Sequence, residues 1–392
     1  MLDCTEQWQH SVLTQSFEAE GCCFADLDGD GEPELVAGER WWRLDGSGSF
    51  AFRGVADAWL PPWGGGSRPD PHAHLRKGGG PAQYKAATYD WPLPVDSDPV
   101  RLGVLSVGMH LDPIVWYEPV DGAGHWRTYP VTSGGIYESV VYGALEKAGP
   151  YGLVTVPARP SVAWYEQQLD PTQPWREHIV GERGGNWHGL GLGDLDGDGR
   201  QHILTSTGTY APVSGLRSPW AWSDIAVVGP AGPPETGLGD VGLIHVYDLG
   251  RGPNLFAASP HGRGLWRWEP VDVCAGTRTF RRWELETTVS QLHALQVIPA
   301  LETEDVALWV ITGKRWQAHG PWHDVDPAGE PLLFRVGVYL DPEEPPRVEV
   351  IHRGSGVGLQ LAVRRLVDQR IQIAVSNKLG VHVFTQKEMK EI

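Results

Sequence analysis

The chain has 392 residues, among them 50 glycines, 32 prolines and 19 tryptophans, a composition with many turns and no long helical period, which excludes a helix-rich or coiled-coil protein. A formal net charge of −17 leaves no basic groove for nucleic acid and no polybasic stretch for anionic lipid, so neither nucleic acid nor membrane is expected as a partner. Apolar residues make up 41%, enough for a core without disulfides; the four cysteines read as reduced thiols, and with no basic head before an apolar segment at Met1–Gln7 the expected location is cytoplasmic.

In chain order, residues 1–19 are expected to supply a strand that closes a ring against the last unit of a repeat. The first unit carries Asp26-Leu27-Asp28-Gly29-Asp30-Gly31-Glu32-Pro33-Glu34, followed by the apolar run Leu35-Val36-Ala37. Alternating aspartates with a glycine at the sharp turn gather oxygen ligands around one small hard cation: Asp26, Asp28, Asp30, a backbone carbonyl near Glu32, and Glu34 at the ninth position. The expected ion is calcium or magnesium, and its role is structural. Residues 57–83 form a long Gly/Pro-rich insertion without a strand pattern, a candidate lid, with His72 and His74 as a weak ligand pair.

Two further units follow, each ending in Trp-Tyr-Glu, at residues 116–118 and 164–166. Then comes a second carboxylate loop, Trp187-His188-Gly189-Leu190-Gly191-Leu192-Gly193-Asp194-Leu195-Asp196-Gly197-Asp198-Gly199, with Asp194, Asp196 and Asp198 as metal ligands. Its ninth position is His202, a poor ligand for calcium or magnesium. Apolar runs at 242–249, 293–298 and 358–363 open three more units, so seven units recur at a spacing of roughly 56 residues. That pattern predicts an all-β fold: a seven-bladed β-propeller of four-stranded antiparallel blades around a central channel, forming a single domain over residues 1–392.

Counting back from each loop aspartate or its equivalent gives Glu20, Tyr84, Glu138, His188, Gly242, His293 and Leu359 or Gln360 at the start of the innermost strands, where they ring one mouth of the channel. Glu138, His188 and His293 make a metal-binding or acid/base set, with Tyr84, Trp187 and His245 nearby as substrate contacts. A second polar cluster runs from Thr312 to Pro327. There Lys314 and Arg315 are placed to hold a developing oxyanion, His319 to act as an acid and Trp316 to contact substrate, with His261 at the matching place one unit earlier.

These residues resemble the FG-GAP or VCBS-repeat seven-bladed propellers, and among them the propeller portion of aldos-2-ulose dehydratase and its bacterial relatives. The resemblance rests on His188-Gly189-Leu190 before the aspartate loop, His245-Val246-Tyr247-Asp248, His261-Gly262, Gly313-Lys314-Arg315-Trp316, Ala318-His319-Gly320 and Gly356-Val357-Gly358-Leu359-Gln360. It implies a lyase that removes water from a keto-sugar, with divalent cations bound to the propeller. The expected function is therefore metal-assisted elimination on a carbonyl-bearing sugar or oxygenated small molecule, with a second, catalytic divalent metal as a further expectation. In that mechanism His188 or His293 takes the proton beside the carbonyl, a metal or Lys314/Arg315 holds the enolate, and Glu138 or His319 protonates the leaving hydroxyl. The alternative is a non-catalytic, lectin-like carbohydrate-binding propeller.

Overall fold

The computed structural model describes residues 1–38, 40–51, 53–54, 89–94, 102–107, 114–119, 125–132, 139–147, 149–158, 160–168, 170, 173–186, 188–228, 235–274, 276–315 and 324–388. The candidate lid at residues 57–83 lies outside them, as do Tyr84, Glu138, Trp187, Trp316 and His319. Among the described residues the structure is all-β apart from one short 3-10 turn at Thr5–Gln7. Successive apolar runs separated by Gly-rich turns pair with their chain neighbours in antiparallel meanders, as short hairpin connections require. Thus Val140–Ala144, Tyr151–Ala158, Ser161–Glu166 and Arg176–Gly181 form one four-stranded sheet, and Cys23–Ala25, Glu34–Ala37, Arg40–Trp42 and Ser49–Ala51 form another.

The first strands of these sheets face one another in a propeller-like arrangement. Residues from Cys23–Ala25, Val140–Ala144, Leu190–Gly193, Ile244–Asp248, Leu295–Pro299 and Leu361–Arg365 line a central cavity of about 730 Å³. Between the sheets the wedge is filled by large side chains, with Trp126, Trp164, Trp268 and Trp309 fully buried. These four tryptophans thus need no role beyond packing. Cys4, Cys22 and Cys23 are buried and form no disulfide.

The expected closing strand is present: Trp8–Thr14 pairs antiparallel with Gly380–Gln386, so the last sheet takes its outer strand from the opposite end of the chain. This clasp removes two exposed strand edges at once. Ahead of it, Leu2–Asp3 adds a short parallel edge to Arg347–Arg353.

One departure from separate four-stranded sheets is large. The strands Leu190–Gly193, His202–Thr205, Gly208–Pro212 and Trp220–Val228 merge with the following meander into a nine-stranded sheet. Two parallel pairings cause the merger. At the inner end Gly191 pairs with Ile244, because a Cβ on Gly191 would meet the Ile244 carbonyl oxygen at 2.3 Å and glycine alone permits that approach. At the outer end Trp220–Val228 pairs with Thr277–Ser290, whose hairpin with Arg263–Cys274 is long enough to reach across the gap.

A three-histidine candidate metal centre

Three loops at one mouth of the channel bring His188, His261 and His293 together. His188 precedes Gly189, whose φ of 83° turns the chain into the strand Leu190–Gly193, and the Gly189 amide donates to the Gly242 carbonyl at 3.0 Å. His261 sits in the turn between Pro253–Ala258 and Arg263–Cys274, where the Gly262 amide donates to Ser259 Oγ at 2.7 Å. His293 follows Gln291, a fully buried residue held at φ 62° in a region that side chains other than glycine seldom adopt. Its neighbours fix it there: the Leu292 amide donates to the Ser259 carbonyl and the Arg315 amide to the Gln291 carbonyl, both at 3.0 Å. Backbone held in this way at a ligand cluster is the kind of strain that a site stores.

The ring centroids of His188 and His261 are 4.8 Å apart, those of His188 and His293 5.7 Å, and those of His261 and His293 5.4 Å, all in edge-on arrangements. Each ring offers one nitrogen, and the three nitrogens lie within 4.8 Å of one another. His293 is only 6% exposed, and its Nδ1 has no hydrogen-bond partner among the described residues. Burial, with Arg315 and the other two rings adding to it, pushes the His293 pKa well below the usual histidine value. A buried, neutral imidazole with an unsatisfied nitrogen is the ligating form, so the residues fit a borderline divalent ion such as zinc.

Beside the rings lies a cavity of about 320 Å³ lined by His188, His261, Asn186, Ser206 and Asp240. Asp240 Oδ1 is 3.9 Å from His261 Nδ1, and its other oxygen accepts from Ser259 Oγ at 3.0 Å. Sequence reading missed Asp240 and Ser259. The one signal was an aspartate between glycines just ahead of an inner strand, in Gly237-Leu238-Gly239-Asp240-Val241-Gly242.

The other expected site residues go elsewhere. Arg315 approaches the triad but spends its guanidinium on Glu20, donating from Nε at 3.1 Å and Nη2 at 3.0 Å, while Lys378 Nζ lies 2.8 Å from the same carboxylate. Burial works against the Glu20 charge, yet Arg315 and Lys378 outweigh it and hold the carboxyl at about 2. Lys314 donates from Nζ to Ser290 Oγ at 2.5 Å, to Asp324 Oδ2 at 2.8 Å and to the Asp326 carbonyl at 2.7 Å, so its three donors are engaged within the protein. His245 lines the central cavity, not the triad, and burial lowers its pKa to about 4.

The two aspartate loops differ. In the first, Asp26, Asp28 and Glu34 bring one oxygen each within 4.8 Å of one another, which fits a hard cation, while Asp30 accepts from the Glu32 amide at 2.8 Å and the Glu32 side chain is exposed. Glu34 is buried, and desolvation, reinforced by the charges of Asp28 and Asp30, raises its pKa to about 7. Arg43, partly exposed, pairs with Asp28 from the rim. In the second loop Asp194, Asp196 and Asp198 do not gather into such a group: Asp194 accepts from the amides of Gly197 and Gly199, Asp198 from Arg200, and Asp196 from Arg278.

No protein-family model matches the chain, and no curated protein matches it. Solved structures do. The crystal structure of BBS1N in complex with ARL6DN, soaked with lead, matches with a TM-score of 0.54 and 11% identity, over 100% of this chain and 99% of that one. Drosophila Semaphorin 1b, extracellular domains 1-2, matches at 0.46 and 9% identity over 96% of this chain and 86% of that one. The yeast heterotrimeric Nup82-Nup159-Nup116 nucleoporin complex matches at 0.47 and 9% identity over 94% of this chain and 97% of that one. The fold is that of a β-propeller. At such identities the first likeness speaks for fold alone.

Proposed function

We propose that the chain is a single seven-bladed propeller of the FG-GAP or VCBS-repeat kind, in which the nine-stranded sheet counts as two fused blades, and that it acts as a metal-assisted lyase on a carbonyl-bearing polyol. The observation that carries this reading is the convergence of His188, His261 and His293, the first two on the wall of a cavity that is also lined by a carboxylate, Asp240. Three imidazoles leave a divalent ion an open coordination position, and when bound the ion polarises a substrate carbonyl and offsets negative charge that develops on its oxygen.

The chain's own groups supply the rest. Engaged as ligands, His188 and His293 are unavailable as proton acceptors, so the base assigned to them passes to Asp240. Ser259 holds one oxygen of Asp240, and the other faces the substrate cavity beside His261. Asp240 takes the proton from the carbon next to the carbonyl; the C–O bond at the following carbon breaks, and the hydroxide leaves with that proton as water. The product is an enone, and atoms balance without any further reactant. A cavity of about 320 Å³ suits a small polyol, and the net charge of −17 disfavours nucleic acid or anionic membrane as the partner.

The test has two readouts. Cobalt(II) added to metal-free protein should give a visible d–d spectrum that His261→Ala and His293→Ala abolish, and a keto-sugar panel should yield enone absorbance that Asp240→Asn lowers by about 100-fold or more. Absence of cobalt binding in the wild type would refute the centre. Cobalt binding with a polyol bound but never converted would favour the lectin-like alternative.

A further inference from the structure

We infer that the second aspartate loop has exchanged its cation for a side chain of the same protein: Arg278 occupies the charge position that a divalent ion would fill, and the loop binds no calcium or magnesium. The inference stands on the loop geometry and is independent of the lyase reading.

The two loops share the pattern Asp-Leu-Asp-Gly-Asp-Gly, and their backbones are closed in the same way. The first aspartate of each, Asp26 or Asp194, accepts the amides of the two loop glycines, Gly29 and Gly31 at 2.8 and 2.9 Å, Gly197 and Gly199 at 2.7 and 2.8 Å. The ninth residue of each caps the same amide: Glu34 Oε2 accepts from Leu27 at 2.9 Å, and His202 Nδ1 lies 3.4 Å from the Leu195 amide. What differs is charge. Where the first loop presents a buried carboxylate, the second presents a buried imidazole whose pKa is lowered, by burial first and by Arg278 next.

Into that position comes Arg278. Its Nη2 donates to Asp196 Oδ1 at 2.9 Å and Oδ2 at 3.2 Å and lies 2.9 Å from His202 Nε2, with only 8% of the residue exposed. Asp198 meanwhile accepts both the Nε and the Nη2 of Arg200. Three carboxylates thus face two guanidiniums, and a charge-assisted contact replaces coordination. The long hairpin explains how the arginine arrives: Thr277–Ser290 pairs in parallel with Trp220–Val228, Ile225 opposite Arg278, which lays the side chain over the loop. Arg43 of the first loop is different in kind, since it is 38% exposed and can swing clear when an ion enters.

The consequence is a joint within the nine-stranded sheet, between its two meanders, that chelators cannot loosen. Its test is the number of terbium(III) or calcium ions bound per chain, read by tryptophan-sensitised luminescence and by calorimetry. Asp196→Asn should leave the wild-type number unchanged. The double variant Arg278→Ala with His202→Glu, which removes the resident cation and restores the ninth carboxylate, should bind one ion more than the wild type. A lower count in Asp196→Asn would overturn the inference, because the native loop would then already hold an ion. So would a correctly folded double variant that gains none, and if that variant fails to fold, the count in Asp196→Asn alone decides.

Discussion

Lys314 and Arg315 are neighbours in the sequence, and extended backbone sends adjacent side chains to opposite faces. One braces Asp324 and the other Glu20, so their adjacency, which reads as a doubled oxyanion clamp, is two unrelated ion pairs. Asp324 is 7% exposed, and removing its cation leaves a buried carboxylate uncompensated. Lys314→Ala should therefore cost about 3–5 kcal/mol in urea denaturation while leaving cobalt binding intact. Asp28 gives a second prediction at this scale. With calcium at 100 times its dissociation constant, the wild type should gain about 2.7 kcal/mol of stability, and Asp28→Ala should lose that gain in a thermal melt with and without the ion. Asp240 shows what residue-level reading missed: a glycine-flanked aspartate ahead of an inner strand does not name its partner, and only the fold sets it beside His261.

The clasp between Trp8–Thr14 and Gly380–Gln386 is an element whose stability should depend on pH. His10 Nε2 is 3.1 Å from His382 Nδ1, and the His10 ring lies 4.2 Å from that of His352 and stacks at 4.6 Å on Phe384. Burial lowers the pKa of all three histidines, with His352 at about 4. The unfolded form binds more protons, so the stability is complete above the unfolded value of 6.5 and falls as pH drops from there towards 4. His10→Phe keeps the stack on Phe384 and removes one charge. Melting temperatures followed from pH 7 to pH 4 should then fall less steeply in this variant than in the wild type, and equal slopes would show that the clasp does not titrate in this range. The closing strand itself was legible in the sequence, because a repeat that must bury its last edge draws on its other end. The fused nine-stranded sheet was not, since parallel pairing between successive meanders leaves no mark in the period of either.

For the whole molecule, closure of the ring is the condition for everything else. Deleting residues 1–14 removes both Leu2–Asp3 and Trp8–Thr14 and leaves the Gly380–Gln386 edge open, so the truncated chain should run as aggregate on size exclusion where the intact chain elutes as a compact species. Sequence alone determined the all-β class, the radial repeat, the strand that closes it and the first aspartate loop, because each depends on periodicity or spacing within a few tens of residues. It also expected His188 and His293 at the starts of inner strands; both lie two residues ahead of such strands, Leu190–Gly193 and Leu295–Pro299. Tertiary structure decided which side chains meet. His261 joins the triad from a different loop of the chain, and Arg278 reaches Asp196 from 82 residues away, through a hairpin whose reach depends on sheet pairing. Two loops with one motif thus part company over a residue that neither contains, since the charge filling a site is set by what the fold brings to it.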